Sequence, residues 1–249
     1  MSDKSFKPSL LLVASSVICM IAVGVTVWAT HKTIRPSQAN MPGIENKTQL
    51  FHLINLDQSG RTTRLLFRND YNKNITAFQL SIDNAEQQID LIYADDVERQ
   101  VIAPGQTFQY LFPSPSGHRV QRISIQAVVF EDGSSDGDTT VSRQIIDMHQ
   151  GIKAQYKKFL PLLKSILDSS NADTEEALNK LESQVLKLTT DYENTTLSSD
   201  FRFGLQSAKE SIINEIQKVK FAKQKYGNIR IQNALLRLKE KHEKRVARL

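Results

Sequence analysis

The stretch Leu10–Ala29 (LLLVASSVICMIAVGVTVWA) constrains the chain more than any other: twenty consecutive residues carry no charge, in a protein where 24% of residues are charged. A helix of about 20 apolar residues rises about 30 Å, the thickness of a bilayer's hydrocarbon core. Residues 1–30 therefore read as a short tail and a single membrane span, with the bulk of the chain on one side. A positive n-region before an apolar run also describes a secretory signal peptide. Lys4 and Lys7 supply that region, and Val27 and Ala29 give the small-residue spacing for cleavage before Thr30. Length favours a retained anchor, because a signal's apolar region is about 7–15 residues, and Trp28 suits an interfacial position. Cys19 is preceded by Ile18, where a bacterial lipoprotein box has a small residue. Lys32 and Arg35 after the run nearly balance the lysines before it. The short N-terminal tail then favours tail inside and bulk extracytoplasmic, at a cell membrane.

Cys19 is the one cysteine, so no intramolecular disulfide forms, which excludes the disulfide-dense secreted domains. The net charge of +5 divides unevenly. Residues 45–138 hold eight Lys/Arg against thirteen acids, net −5, and residues 139–249 hold twenty against thirteen, net +7. Such asymmetry marks two modules. Residues 31–48, with Pro36, Pro42 and Gly43 and no periodicity, read as a flexible linker.

From residue 49 to 138 the apolar period is two. Thr76, Phe78, Leu80 and Ile82 share one face, with Ala77, Gln79 and Ser81 on the other. Phe108, Tyr110 and Phe112 alternate with Gln109 and Leu111, and Ile123, Ile125 and Ala127 with Ser124 and Gln126. Half-buried strands give this pattern. Strands are expected at 49–55, 63–69, 75–82, 88–93, 98–102, 106–112 and 121–131, separated by Asn/Asp- and Pro/Gly-rich turns. Seven short strands so spaced predict an antiparallel β-sandwich of immunoglobulin-like type.

Arg68-Asn69 closes one strand, Ile75-Thr76-Ala77-Phe78 opens the next, and Ile102-Ala103-Pro104-Gly105-Gln106 precedes Phe108. Over about residues 65–112 this resembles the FxLYD-type immunoglobulin-like modules of bacterial extracytoplasmic chains. Asp83-Asn84-Ala85 stands where that pattern has a Tyr-Asp-x-x-Gly turn. The resemblance implies a sandwich outside the cytoplasm and no active site of its own.

Glu131–Asp138 is the most distinctive local run. Asp132, Ser134, Asp136, Gly137 and Asp138 match the first positions of an EF-hand loop, but Arg143 occupies the place of its bidentate Glu. The plainer reading is a solvated turn, with Asp138 or Thr139 capping a helix; whether the loop binds a cation is left open.

From Val141 the period becomes helical. Val141, Ile145, Met148, Ile152, Phe159, Leu163 and Ile166 form one stripe, interrupted at Pro161, which is expected to bend the helix or mark its weakest turn. A second helix starts at Asp173 or Thr174 and carries Leu178, Leu181, Val185 and Leu188. A third, capped at Ser199-Asp200, points Phe203, Ile212, Ile213, Ile216 and Val219 inward and stops at Tyr226-Gly227-Asn228. A last helix carries Ile231, Leu235, Leu238 and Val246. Such narrow stripes pack either into an intramolecular helical hairpin or bundle, or into a coiled coil joining subunits. Residues 221–249 carry nine Lys/Arg and two acids. That basic end reads as a solvated face, or as a surface for anionic polymer or lipid headgroups.

No catalytic, cofactor or metal-ligating residue is assigned. The chain lacks a Gly-rich phosphate loop and a Gly-x-Ser-x-Gly elbow, and His242-Glu243 has no second His at zinc spacing. His31, His52, His118, His149 and His242 are scattered; Asn46, Asn74 and Asn194 stand in glycosylation sequons. The expectation is a segregated α+β chain: an anchor (1–30), a linker (31–48), a sandwich (49–138) and a helical domain (139–249). It works without catalysis as an envelope binding or scaffolding protein, with a protein partner through the tail or a second copy of itself, and without nucleic acid. The alternative is a tethered sensor or regulator whose basic tail lies in the cytosol.

Overall fold

Period-two apolar patterning builds the first half of the fold and period-3.6 patterning the second. The computed structural model describes residues 42–58, 62–83, 85–91, 101–113, 119–169, 171–190, 196–227 and 229–249. The span expected at 10–29, most of the strand expected at 98–102, Asn194, His31 and His118 lie outside the described residues. Among those described, no helix is long and apolar enough to cross a membrane.

The chain is α+β. Strands β1 (Gly43–Asn46), β2 (Phe51–Asp57), β3 (Thr62–Asn69), β4 (Ile75–Ile82), β5 (Ala85–Asp90), β6 (Thr107–Pro113), β7 (Arg122–Phe130) and β8 (Ser135–Gly137) precede helices α1 (Thr139–Leu167), α2 (Glu175–Leu186), α3 (Ser199–Tyr226) and α4 (Ile231–Arg248). One sheet runs β1-β7-β4-β5 with β8 also on β7; the other runs β2-β3-β6. They share a core in which Phe51, Phe67, Phe78 and Phe108 pack ring against ring at 4.9–5.7 Å.

Two short strands depart from the expected arrangement. Residues 43–46, read as linker, form β1 and pair parallel with β7, Ile44 opposite Ile123, so the first sheet is mixed rather than purely antiparallel. Residues 135–137, read as turn, form β8 against Ala127–Val129. β1 and β8 thus lie end to end along one edge of β7, with β4 on its other edge. Neither strand has a period of its own; the unpaired N–H and C=O groups of β7 select them.

The expected polar outer face of β4 is corrected as well. Ala77 is fully buried and Gln79 nearly so. The cause is α1, whose Ile145 packs on Ala77 and Val129 with Val141 and Ile146 beside it. Bulges between Ile75 and Ala77, and opposite Gln79 and Leu80, switch the strands' parity. Ile75 and Phe78 therefore both face the sandwich core, as do Ile125 and Val128.

The helical stripes meet in one intramolecular core drawn from all four helices. The side chain of Asp138 caps α1, Thr174 caps α2 and Ser198 caps α3. Gly227, at φ 66°, ends α3 where only glycine is comfortable. α1 runs through Pro161 as one element. Pro161 cannot donate to the Lys157 carbonyl, and both residues are exposed, where that carbonyl can be solvated. Phe203, expected inside, is 58% exposed. The contact it was assigned is taken instead by Gly204 and Leu205, both buried in α3.

Candidate functional site

Polar residues near the two sheets are committed to the fold. Asn69 is fully buried, donates to the Lys73 and Ile102 carbonyls at 2.7 and 2.8 Å and accepts from the Tyr71 N–H, fixing the turn before β4. Asn74 donates to Glu131, and Asn46 donates to the Phe51 carbonyl and accepts from Thr48. The EF-hand-like carboxylates diverge. Asp132 accepts from the N–H and hydroxyl of Ser134, Asp136 accepts from the Gln49 and Leu50 N–H groups, and Asp138 accepts from Thr140 and Val141. These bonds hold Asp132 and Asp138 below the usual carboxylate range. Among the described residues no group of three His, Cys, Asp or Glu is placed to hold a metal.

The helical unit contains a buried ionic cluster. Glu215 of α3 faces three basic residues of α4, Lys241, His242 and Arg245. His242 Nε2 lies 2.7 Å from Oε2, Lys241 Nζ 2.9 Å from Oε1 and Arg245 Nη1 3.6 Å from Oε1. Arg245 also donates to the Tyr156 hydroxyl of α1 at 3.2 Å. The His242 ring lies tilted against Tyr156, with centroids 4.4 Å apart, and meets Phe159 edge-on at 5.4 Å. Burial alone would raise the Glu215 carboxyl, but His242 and then Lys241 outweigh it and hold it at about 2. Burial lowers His242 despite Glu215. His242 Nδ1 is buried with no hydrogen-bond partner, which suits a neutral ring carrying its proton on Nε2 and donating to Glu215. Burial raises Tyr156. These contacts latch α4 onto α1 and α3.

Cations also line one face of α4, and Lys241 belongs both to that face and to the Glu215 cluster. Arg230, Arg237, Lys241, Lys244 and Arg248 are spaced seven, four, three and four, one face of a helix. That stripe runs beside the apolar one formed by Ile231, Leu235 and Leu238. At its start, α3 and α4 enclose a groove of about 440 Å³. Val219, Ala222, Ile229 and Ala234 form apolar walls, and Lys218, Arg230 and Arg237 stand at the rim. All three rim cations are exposed and have no ion pair among the described residues. Lys223 shapes the corner by donating to the Gly227 and Ile229 carbonyls. Beside the groove, Phe221 and Tyr226 are 64% and 59% exposed, with Lys225 Nζ 5.9 and 5.2 Å from their ring centres. An open groove with a cationic rim and apolar walls offers chemistry that could accommodate an anion carrying hydrocarbon.

The remaining histidines do not converge: His52 pairs with Asp70, and His149 is buried in α1. The ionic cluster escaped the sequence reading, although its signal is there. The stripe Ile231, Leu235, Leu238 continues through His242 and Arg245, and Glu215 sits beside Ile216. No family model, no curated protein and no solved structure matches the chain.

Proposed function

We propose that this chain is a membrane-anchored, non-catalytic binding module of the cell envelope. Leu10–Ala29 is the anchor and residues 42–249 are extracytoplasmic. The two-sheet half is an immunoglobulin-like sandwich of the FxLYD type that links the anchor to the helical half. The helical half supplies that surface at the α3–α4 corner. One observation carries the reading: the same chain holds an uncharged twenty-residue run and a folded unit whose unpaired cations Lys218, Arg230 and Arg237 converge on one groove. The buried charges support a non-catalytic role, because Glu215, His242 and Arg245 are spent on each other and on Tyr156.

The basic stripe of α4 also suits the alternative, a tethered regulator with its helical half in the cytosol. Thiol accessibility separates the two. In a Cys19→Ser background, Lys244→Cys is expected to react with a membrane-impermeant maleimide in intact cells. Protection until the cells are lysed would place the helices in the cytosol and overturn the envelope reading.

A further inference from the structure

We infer that the α3–α4 corner is a second membrane contact. Phe221 and Tyr226 enter the interfacial zone of a bilayer while Lys218, Arg230 and Arg237 bind the phosphates of anionic phospholipid headgroups. The inference rests on the anion-binding reading of the groove and names its ligand. Single exposed apolar residues are ordinary. Here two aromatic rings stand exposed within six residues, flank a lysine, and border a groove whose rim is cationic. Aromatic rings interleaved with basic residues are the composition of an interfacial contact, where the ring sits at headgroup depth and the cation meets phosphate.

The groove's own chemistry favours lipid over other polyanions. A soluble polyphosphate has nothing to place against Val219, Ala222, Ile229 and Ala234, whereas a glycerophosphate headgroup brings its hydrocarbon to those walls. Single-stranded nucleic acid would need open ring faces for stacking, and Lys225 already lies over both rings. Among the described residues no acid lines the groove itself: Asp173 reaches the start of α4 but accepts from the Gln232 N–H, and of the α4 acids Glu240 and Glu243, the latter pairs with Lys239.

The test uses the full chain with Cys19→Ser and Gln224→Cys, labelled with a polarity-sensitive dye and mixed with vesicles. Vesicles of phosphatidylcholine alone are compared with an equal mixture of phosphatidylcholine and phosphatidylglycerol, each carrying a lipid-borne quencher. The dye is expected to shift to the blue and to be quenched only on the mixed vesicles. Lys218→Glu, Arg230→Glu and Arg237→Glu together should weaken that contact about a hundredfold with circular dichroism unchanged. Phe221→Ser with Tyr226→Ser should reduce the quenching at the same charge. Equal emission on both vesicle types, or quenching indifferent to these substitutions, overturns the inference. A blue shift with soluble polyphosphate and none on vesicles would make the groove a polymer site and also overturns it. Flotation on phosphatidylcholine alone reads the N-terminal anchor separately, so its failure is distinct from failure of the corner.

Discussion

The crossing of α1 and α3 depends on two glycines, and replacing either has a calculable consequence. A Cβ on Gly151 would lie 2.0 Å from the Phe201 carbonyl oxygen, and a Cβ on Gly204 2.1 Å from that of Met148. Carbon–oxygen approaches begin at about 3.3 Å, so the helices must part by roughly 1 Å. The obstacle is backbone in both cases, so no side chain can swing aside. A gap of that size forfeits about a quarter to a half of each dispersion contact across the seam, where Ile152, Tyr156, Ala208 and Ile212 are packed. Against this, alanine stabilises a helix interior by about 1 kcal/mol over glycine. Overpacking wins, and Gly151→Ala is expected to lose about 2 kcal/mol net, lowering Tm by about 4–8 °C. Because one separation relieves both clashes, Gly151→Ala with Gly204→Ala should cost little more than either alone. The resulting coupling is about 1 kcal/mol or more. Thermal and urea unfolding of the full chain in mild detergent, followed by far-ultraviolet circular dichroism, measures all three variants. Gly151→Ala as stable as the parent, or additive losses in the double variant, would refute the close crossing.

Three further outcomes are expected. Gln155 is fully buried and neither side-chain polar atom has a hydrogen-bond partner among the described residues. Gln155→Met should therefore raise stability by about 1 kcal/mol in the same unfolding assay, and a loss would reveal a partner. Acid should loosen α4. His242 is depressed below its ordinary 6.5 and Glu215 below 4.5, so each contributes stability that is fully present above those values. The His242 share is lost as pH falls below 6.5 and the Glu215 share between 4.5 and about 2. Glu215→Gln should flatten the lower limb of Tm against pH, and an unchanged limb would remove the cluster's role as a latch. Asp136→Ala strips the acceptor from the Gln49 and Leu50 N–H groups, at a cost of about 1–3 kcal/mol; Asp136→Asn, which keeps an acceptor oxygen, should restore part of it.

What the sequence disclosed follows from where the physics is local. Helix stripes and caps depend on residues within one turn, so Ile145 to Ile166 in α1, the Thr174 cap and the Gly227 stop were all legible. Strands β1 and β8 were not, because three- and four-residue segments exist only through the β7 edge they complete. The inner face of β4, Phe78, Leu80 and Ile82, was legible, but its outer face was misread, since periodicity records alternation and not the helix that later covers the second face. Gly151 and Gly204 carry a faint signal, a glycine in each of two helix interiors, yet their pairing is a tertiary fact. The cationic character of residues 221–249 was plain in the composition. Which cations Glu215 would neutralise, and which would be left at the groove, needed the fold.

Alkaline carbonate extraction of membranes from cells making the full chain tests the tether most directly. The parent is expected to stay in the membrane pellet. A variant with Val17→Lys and Ile21→Lys, which puts two charges into the uncharged run, should move to the supernatant with residues 42–249 still folded by circular dichroism. Release of the parent chain itself by carbonate would contradict a membrane-anchored protein.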